Sequence, residues 1–277
     1  MTRTTDTSIN QHYNIRSLAL ALLLGTLSMT AVAAPDVVRG VRNSAGPHRL
    51  NPTQLQQVQA SLRQKSGLAE LGFDEQGALT PGNRLHLQGG SATARALLIA
   101  AVESANLYEL ESHESSPEVA FARILESEDR MIGETSQRIN IYQVQLDFAD
   151  FNRLGGAREA KAAFDIGIAL LHELVHGVLK LQDPQGGMDQ IGDCDAHVNQ
   201  MRRELHLPER LYYHPGITVV QLNGGRIVSA RLQFAERQSG ATLPGATYEL
   251  TWLPGQVSPK ARNIAQLEQG LAITKRR

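Results

Sequence analysis

An α+β fold is predicted by three features of this sequence. One stretch, 157–181, is strongly apolar at helical length; an alternating strand pattern over 138–148 precedes it; and three separated strand-like runs follow residue 211. The chain has 277 residues, room for one large domain or two small ones. With 42% hydrophobic residues against 20% charged, it can bury a core rather than remain disordered. A formal net charge of −1 gives no field for nucleic acid or an anionic membrane. Aromatic residues are only 5% of the chain, with Trp252 the single tryptophan, which argues against a base-stacking platform. Nothing in the sequence points to an oligomeric state.

The first 33 residues read as a cleavable signal peptide. Arg3, His12 and Arg16 precede an apolar run from Leu18 to Leu24 that continues weakly through Leu27 and Met29 to Val32. Ala31-Val32-Ala33 then supplies small residues for cleavage before Ala34 or Pro35. A membrane anchor is the alternative, but the run is short for a bilayer span. No later stretch reads as long and apolar enough to cross, so the expectation is a periplasmic or secreted protein without stable membrane insertion. Cys194 is the only cysteine, so no disulfide framework forms within the chain. A metal ligand, a reactive thiol and a small buried residue are all roles open to it.

Residues 35–52 are polar and turn-rich. A helix is expected over 54–71, with Leu55, Val58, Leu62 and Leu68 near helical spacing, and a glycine-punctuated loop or short strand region over 72–90. Ser91 caps a second helix over 91–104. The acidic tract over 107–116, with His113 in it, reads as solvated surface. In 138–148, Tyr142, Val144, Leu146 and Phe148 alternate with Gln143, Gln145 and Asp147, as in a half-buried strand. Ile139 and Ile141 have the other parity, which predicts a bulge or burial of both faces at the strand's start. Gly155-Gly156 turns the chain into the helix over 157–181, apolar on most sides and therefore central. Asp183-Pro184 stops it and Gly186-Gly187 opens a loop. A further helix runs from Asp193 to Leu205, then strands at 217–222, 231–234 and 248–252, and a terminal helix with a basic tail. The organisation is a signal peptide (1–33), a leader or helical segment (34–90), a core (91–210) and a β-rich extension (211–277).

The central helix carries His172-Glu173-Leu174-Val175-His176. Positions four apart share a helix face, so both imidazoles can bind one tetrahedral ion, while Glu173 can polarise a metal-bound water. A polar stripe facing solvent is the alternative, and the apolar residues at 170–171, 174–175 and 178–179 count against it. A third histidine six residues after His176 is absent, because position 182 is Gln. The third ligand is therefore sought on the next helix, where Asp195 is favoured over Asp193 and His197. Asn199 lies one turn beyond Asp195 and is placed to orient a ligating histidine. Asp193 has a competing role as helix N-cap.

On His172, Glu173, His176, Asp195 and Asn199, a small part of the chain, the sequence resembles the zincin metallopeptidases, in the branch whose third ligand is acidic and sits on a later helix. That resemblance implies a zincin-like α+β core over 91–210, with the active-site helix packed on a small mixed sheet and followed by a ligand helix. It also implies a strand antiparallel to substrate above the metal, for which 138–148 has the right chain order, and an oxyanion donor, for which Tyr212, Tyr213 and His214 are candidates. The implied cofactor is zinc and the implied partner a peptide or protein substrate. Glu173 would act as general base in peptide-bond hydrolysis. A non-catalytic zinc-binding protein and an amidase acting on cell-wall material are the competing expectations.

Overall fold

The computed structural model describes residues 39–132, 137–185, 190–222, 225–237 and 245–252. The signal peptide, the Gly186-Gly187 turn and the terminal helix expected from the sequence lie outside them.

Strand β1 (Gly40–Asn43) leads into helix α1 (Pro52–Ser66), which begins with a reciprocal cap: Gln54 N–H donates to Asn51 Oδ1 and Asn51 N–H donates to Gln54 Oε1. Gly67 ends α1 in the left-handed region at φ 73°. A small hairpin of β2 (Gly72–Phe73) and β3 (Leu79–Thr80) precedes α2 (Ala92–Glu103), capped by the Ser91 hydroxyl on Ala94 N–H. Strands β4 (Leu107–Ser112), β5 (Ala122–Ile132) and β6 (Gln137–Leu146) follow, then α3 (Phe148–Asn152), β7 (Leu154–Gly156) and α4 (Arg158–Ala163). Helix α5 (Ile166–Leu174) continues into one π turn over Val175–Leu179. After it come α6 (Asp193–Glu204), β8 (Glu209–Arg210), β9 (Gly216–Leu222), β10 (Gly225–Ala235) and β11 (Thr247–Trp252).

The first sheet has the order β1-β4-β6-β5, with β1, β4 and β6 parallel and β5 antiparallel at one end. The second is antiparallel, β7-β11-β10-β8, with β9 also on β10. The chain is thus a mixed α+β protein. Its main core joins Tyr108, Tyr142 and Val144 of the first sheet to Val58 and Leu62 of α1, Leu98 of α2, Leu170 and Leu171 of α5, and Val198 of α6. Because α1 and β1 contribute to this core, residues 40–66 are packed with the central helix rather than lying apart from it. A second core, including Phe121, Phe164, Leu232 and Phe234, joins α4 to the second sheet.

Several sequence expectations are corrected. The first part of the acidic tract over 107–116 is not solvated surface: β4 is an interior strand with Leu107, Tyr108, Leu110 and Glu111 buried, because parallel strands between two neighbours are covered on both faces, whereas Glu114 and Ser115 beyond it are exposed. The helix over 157–181 is two helices, since Asp165 caps α5 by accepting Ile168 N–H and the chain breaks at Phe164. Gly192, not Asp193, is the N-cap of α6. Strand β6 cannot take a substrate strand, being paired on both sides; the strands at the two ends of this sheet are β1 and β5. The parity change at Ile141 reflects burial of both faces, with Ile139 and Ile141 against Leu107 while Tyr142 and Val144 enter the main core. By length and composition, Arg158–Leu179 does meet the measure of a membrane-crossing helix, contrary to expectation, and most of it is buried as the central helix.

Two contacts fix where α5 runs. Its capping Asp165 also receives Lys65 Nζ at 2.9 Å and Ser61 Oγ at 3.0 Å, tying it to α1. Gly167 allows that approach, since a Cβ there would lie 2.2 Å from Ser61 Oγ. Helix α6 is tied at its far end: Glu204 accepts Ser91 Oγ at 2.7 Å, Thr93 N–H at 2.9 Å and Thr93 Oγ1 at 2.6 Å, across the start of α2. Burial works against the charge, but these donors hold the Glu204 pKa at about 2, below its ordinary 4.5. The stabilisation is therefore complete above pH 4.5 and is lost as pH falls toward 2. Glu204→Gln should cost about 1 kcal/mol at neutral pH, as for loss of a helix cap. Denaturant melts of wild type and variant should converge as pH falls from 4.5 to about 2, the interval spanned by the two pKa values.

Candidate metal centre

His172 and His176 stand one turn apart at the C-terminal end of α5 and in the π turn. Their Nε2 atoms approach to 3.1 Å. The group that meets them is Asp183: Oδ1 lies 3.3 Å from His172 Nε2 and Oδ2 lies 3.3 Å from His176 Nε2. With Cys194 Sγ, these ligand atoms fall within 4.8 Å of one another, a cluster able to hold a metal ion.

Asp183 reaches the histidines because the chain reverses. After the π turn, Lys180 takes the left-handed conformation at φ 59°. The reversal returns Leu181 O to His176 Nδ1 at 2.6 Å. A donor at Nδ1 leaves Nε2 of the neutral ring as an acceptor facing the cluster. Gly177 lets the π turn lie against the sheet, where a Cβ would meet Tyr108 Cε1 at 2.6 Å and Ile124 Cδ1 at 2.8 Å. Tyr108 O–H donates to Gly177 O at 3.2 Å, holding that contact.

Asp195, favoured from sequence as the third ligand, occupies a different place. Its Oδ1 is 3.7 Å from His172 Nδ1, on the side of the ring away from Asp183. The carboxylate is fully buried and lies 3.3 Å from Arg210 Nη1 and 3.6 Å from Arg202 Nη1. Burial alone would raise its pKa; Arg210, His172 and Arg202 overcome this and hold it well below the usual carboxylate range. Asn199 does not touch a histidine. Its Oδ1 accepts Arg202 Nη1 and Arg210 N–H, and its Nδ2 donates to Arg210 O, so it sets the two arginines around Asp195. Asp193 is exposed, and neither it nor His197 joins the cluster.

Glu173 is buried beside the histidines and, with Ile124 of β5, lines the wider of two cavities that open at the site. Burial pushes its pKa up against the pull of His172 and His176. Tyr213 donates its hydroxyl to Asp183 Oδ2 at 2.6 Å and stacks over His172 at 6.3 Å between centroids. Burial and Asp183 push its pKa upward, so the phenol keeps its proton. His214 packs edge-on against Tyr213 at 5.1 Å, and neither of the two cavities at the site is lined by it. Tyr212 is exposed and offers its carbonyl to Arg210 Nε.

The donor set fits a cation. Two imidazole nitrogens and a carboxylate converge, and among the described residues Asp183 Oδ1 is buried without a hydrogen-bond partner, as are both Asp195 oxygens on the other side of His172. Burial disfavours a charged His176, yet Asp183 and then Cys194 raise its pKa to about 10. Two cavities open at the site and share Ala122, Glu173 and Tyr213. One, about 190 Å³, is walled mainly by apolar side chains; the other, about 430 Å³, is wider and includes His176, Lys180 and Asp183.

Compared with protein-family models, curated proteins and solved structures, the chain matches none.

Asp183→Ala should abolish stoichiometric uptake of a divalent metal. Asp195→Asn should keep the stoichiometry and weaken affinity about 10–100-fold, as expected for a group that orients a ligand. Competition with a chromogenic chelator reads both, and the reverse order would make Asp195 the ligand.

Proposed function

We propose that this protein is a zinc-dependent hydrolase of peptide bonds with a zincin-like core, its ligands being His172, His176 and Asp183. The observation that carries the reading is the convergence of the two Nε2 atoms and the Asp183 carboxylate within 3.1–3.3 Å, with the Glu173 carboxylate beside them and two cavities meeting there. A set of three protein ligands with room for one more is that of catalytic rather than structural zinc. The leader pattern over 1–33 supports export to the periplasm or medium, and the substrate class proposed is a peptide or protein.

Zinc, when bound, would polarise the scissile carbonyl and bring the pKa of a water in its open position to about 7. The chain supplies the rest. Glu173 takes the proton from the attacking water and returns it to the leaving amine. Glu173 lines the wider cavity beside Ile124 of β5, a strand at one end of the first sheet whose outer edge has no partner among the described residues and can pair with an extended peptide backbone. Tyr213 borders both cavities, and its one hydroxyl proton, held by Asp183 Oδ2 before substrate arrives, would turn to the oxyanion as charge develops there. Asp195 holds His172 from behind, and its charge is balanced by Arg202 and Arg210 rather than by the ion.

A second reading has a specific observation behind it. Cys194 Sγ is fully buried, 3.5 Å from His172 Nδ1, and belongs to the cluster. As a fourth ligand it would close the site into a structural centre.

In the hydrolase, Cys194→Ser retains zinc at wild-type stoichiometry and still binds a hydroxamate. Loss of zinc in that variant favours the closed centre. Glu173→Gln should abolish cleavage of casein or quenched peptides while zinc stays bound; retained cleavage removes Glu173 from the mechanism. Tyr213→Phe should lower kcat by about 10²–10³-fold, the usual loss for one oxyanion donor, with zinc content unchanged. Zinc loss instead would make Tyr213 a support for Asp183.

A further inference from the structure

The smaller cavity is not needed to hold a metal or to move a proton, so its shape has to be explained by something else. Its volume of about 190 Å³ is below the roughly 300–1,000 Å³ of pockets that enclose whole small molecules. It is the size for one side chain. The walls are Phe121, Phe164, Ile168, Leu232 and Trp252, drawn from the seam where the two cores meet. Phe121 meets Phe164 edge-on at 4.9 Å and Trp252 at 4.8 Å, giving the chamber an aromatic wall.

Arg202 and Arg210 also reach this cavity, and their charge could in principle call for an acidic occupant. Their hydrogen bonds say otherwise. Arg210 donates Nε to Tyr212 O and Nη2 to Tyr213 O, and turns Nη1 to Asp195. Arg202 donates Nε to Ala163 O and Nη1 to Asn199 Oδ1, with Asp195 close by. Arg210 is thus bonded through Nε and Nη2 and ion-paired through Nη1, and Arg202 is bonded through Nε and Nη1. The buried Asp195 carboxylate beside them already balances positive charge, so the apolar walls dominate the choice of occupant. Glu173 and Tyr213 border the cavity, so a side chain that fills it hangs from a backbone lying at the reacting groups.

We propose that this cavity is the specificity pocket, taking a bulky apolar side chain, aromatic or branched aliphatic, of a residue that flanks the scissile bond. The proposal rests on the metallopeptidase reading above. Replacing such a residue by alanine forfeits several buried methylene equivalents, so discrimination of about tenfold or more is expected.

The test uses the zinc-loaded protein and quenched peptides that differ only at the two residues flanking the cleaved bond, set to Phe, Leu, Ala, Asp or Lys. At one of the two positions, kcat/KM for Phe or Leu should exceed that for Ala, Asp and Lys by about tenfold or more. Calorimetry with the Glu173→Gln protein should show the same order in peptide affinity without turnover. Ala230→Leu fills the cavity from β10, and there the Phe-to-Ala ratio should collapse, with a melting curve reporting that the protein is folded. A flat series, a preference for Asp or Lys, or a ratio that survives Ala230→Leu overturns the proposal while leaving the peptidase standing. No cleavage of any peptide, with no binding to Glu173→Gln, overturns both.

Discussion

The arrangement of the site depends on the chain reversing at Lys180. A non-glycine residue in the left-handed region costs about 1–2 kcal/mol. The surroundings offset that cost: the Lys180 ammonium donates to the Tyr142 hydroxyl and lies 4.3 Å above its ring, and the reversal brings Leu181 O to His176 Nδ1. That last bond is what connects backbone to chemistry. It fixes which nitrogen of His176 faces the cluster and, two residues later, carries Asp183 to the place where both Nε2 atoms point. Were the helix to continue regularly past Leu179, Asp183 would project from a later turn and the two imidazoles would have no carboxylate before them.

Behind this local loop stands a buried charge assembly. Asp195 is a fully buried carboxylate, and its cost is offset by Arg202 and Arg210, which Asn199 in turn aligns. Burial lowers the Arg202 pKa to about 10, against the pull of Asp195, so it is still charged at neutral pH. The same assembly supports His172 from its Nδ1 side and forms part of the floor of the apolar cavity. Removing one charge would leave the others unpaired in a dry environment, the costly case for buried ions. Ligand geometry and pocket shape are therefore coupled through the same three side chains.

The separation of α4 from α5 adds the other half of the design. Asp165 stops a continuous helix and, by binding Lys65 and Ser61, docks α5 on α1. Phe164, at the break, faces the second core instead, where it meets Phe121 and Phe234. The central helix is thereby shared between two cores, and the cavity beside Glu173 occupies the seam between them.

The histidine pair and Glu173 were legible in the sequence because a helix of known period places them. Asp183 is equally visible, but beside Pro184 it has the sequence pattern of a helix stop. Motif spacing assumes regular α geometry, and a π turn followed by a left-handed residue moves the useful position to the seventh after His176. Asp195 drew attention because a carboxylate on the following helix looked available; its partners Arg202 and Arg210 become apparent only when α6 and β8 are folded together. Strand β4 was obscured by its acidic residues, and β5 by the lack of a clean alternation. The difference has one physical root. The groups proposed for chemistry come mostly from one short stretch, residues 172–183, so local periodicity reports on them. The walls of the pocket come from β5, the α4–α5 break, β10 and β11, which only the tertiary fold assembles. Reactivity can thus be read from neighbours in sequence, whereas selectivity here is a property of the seam between two cores.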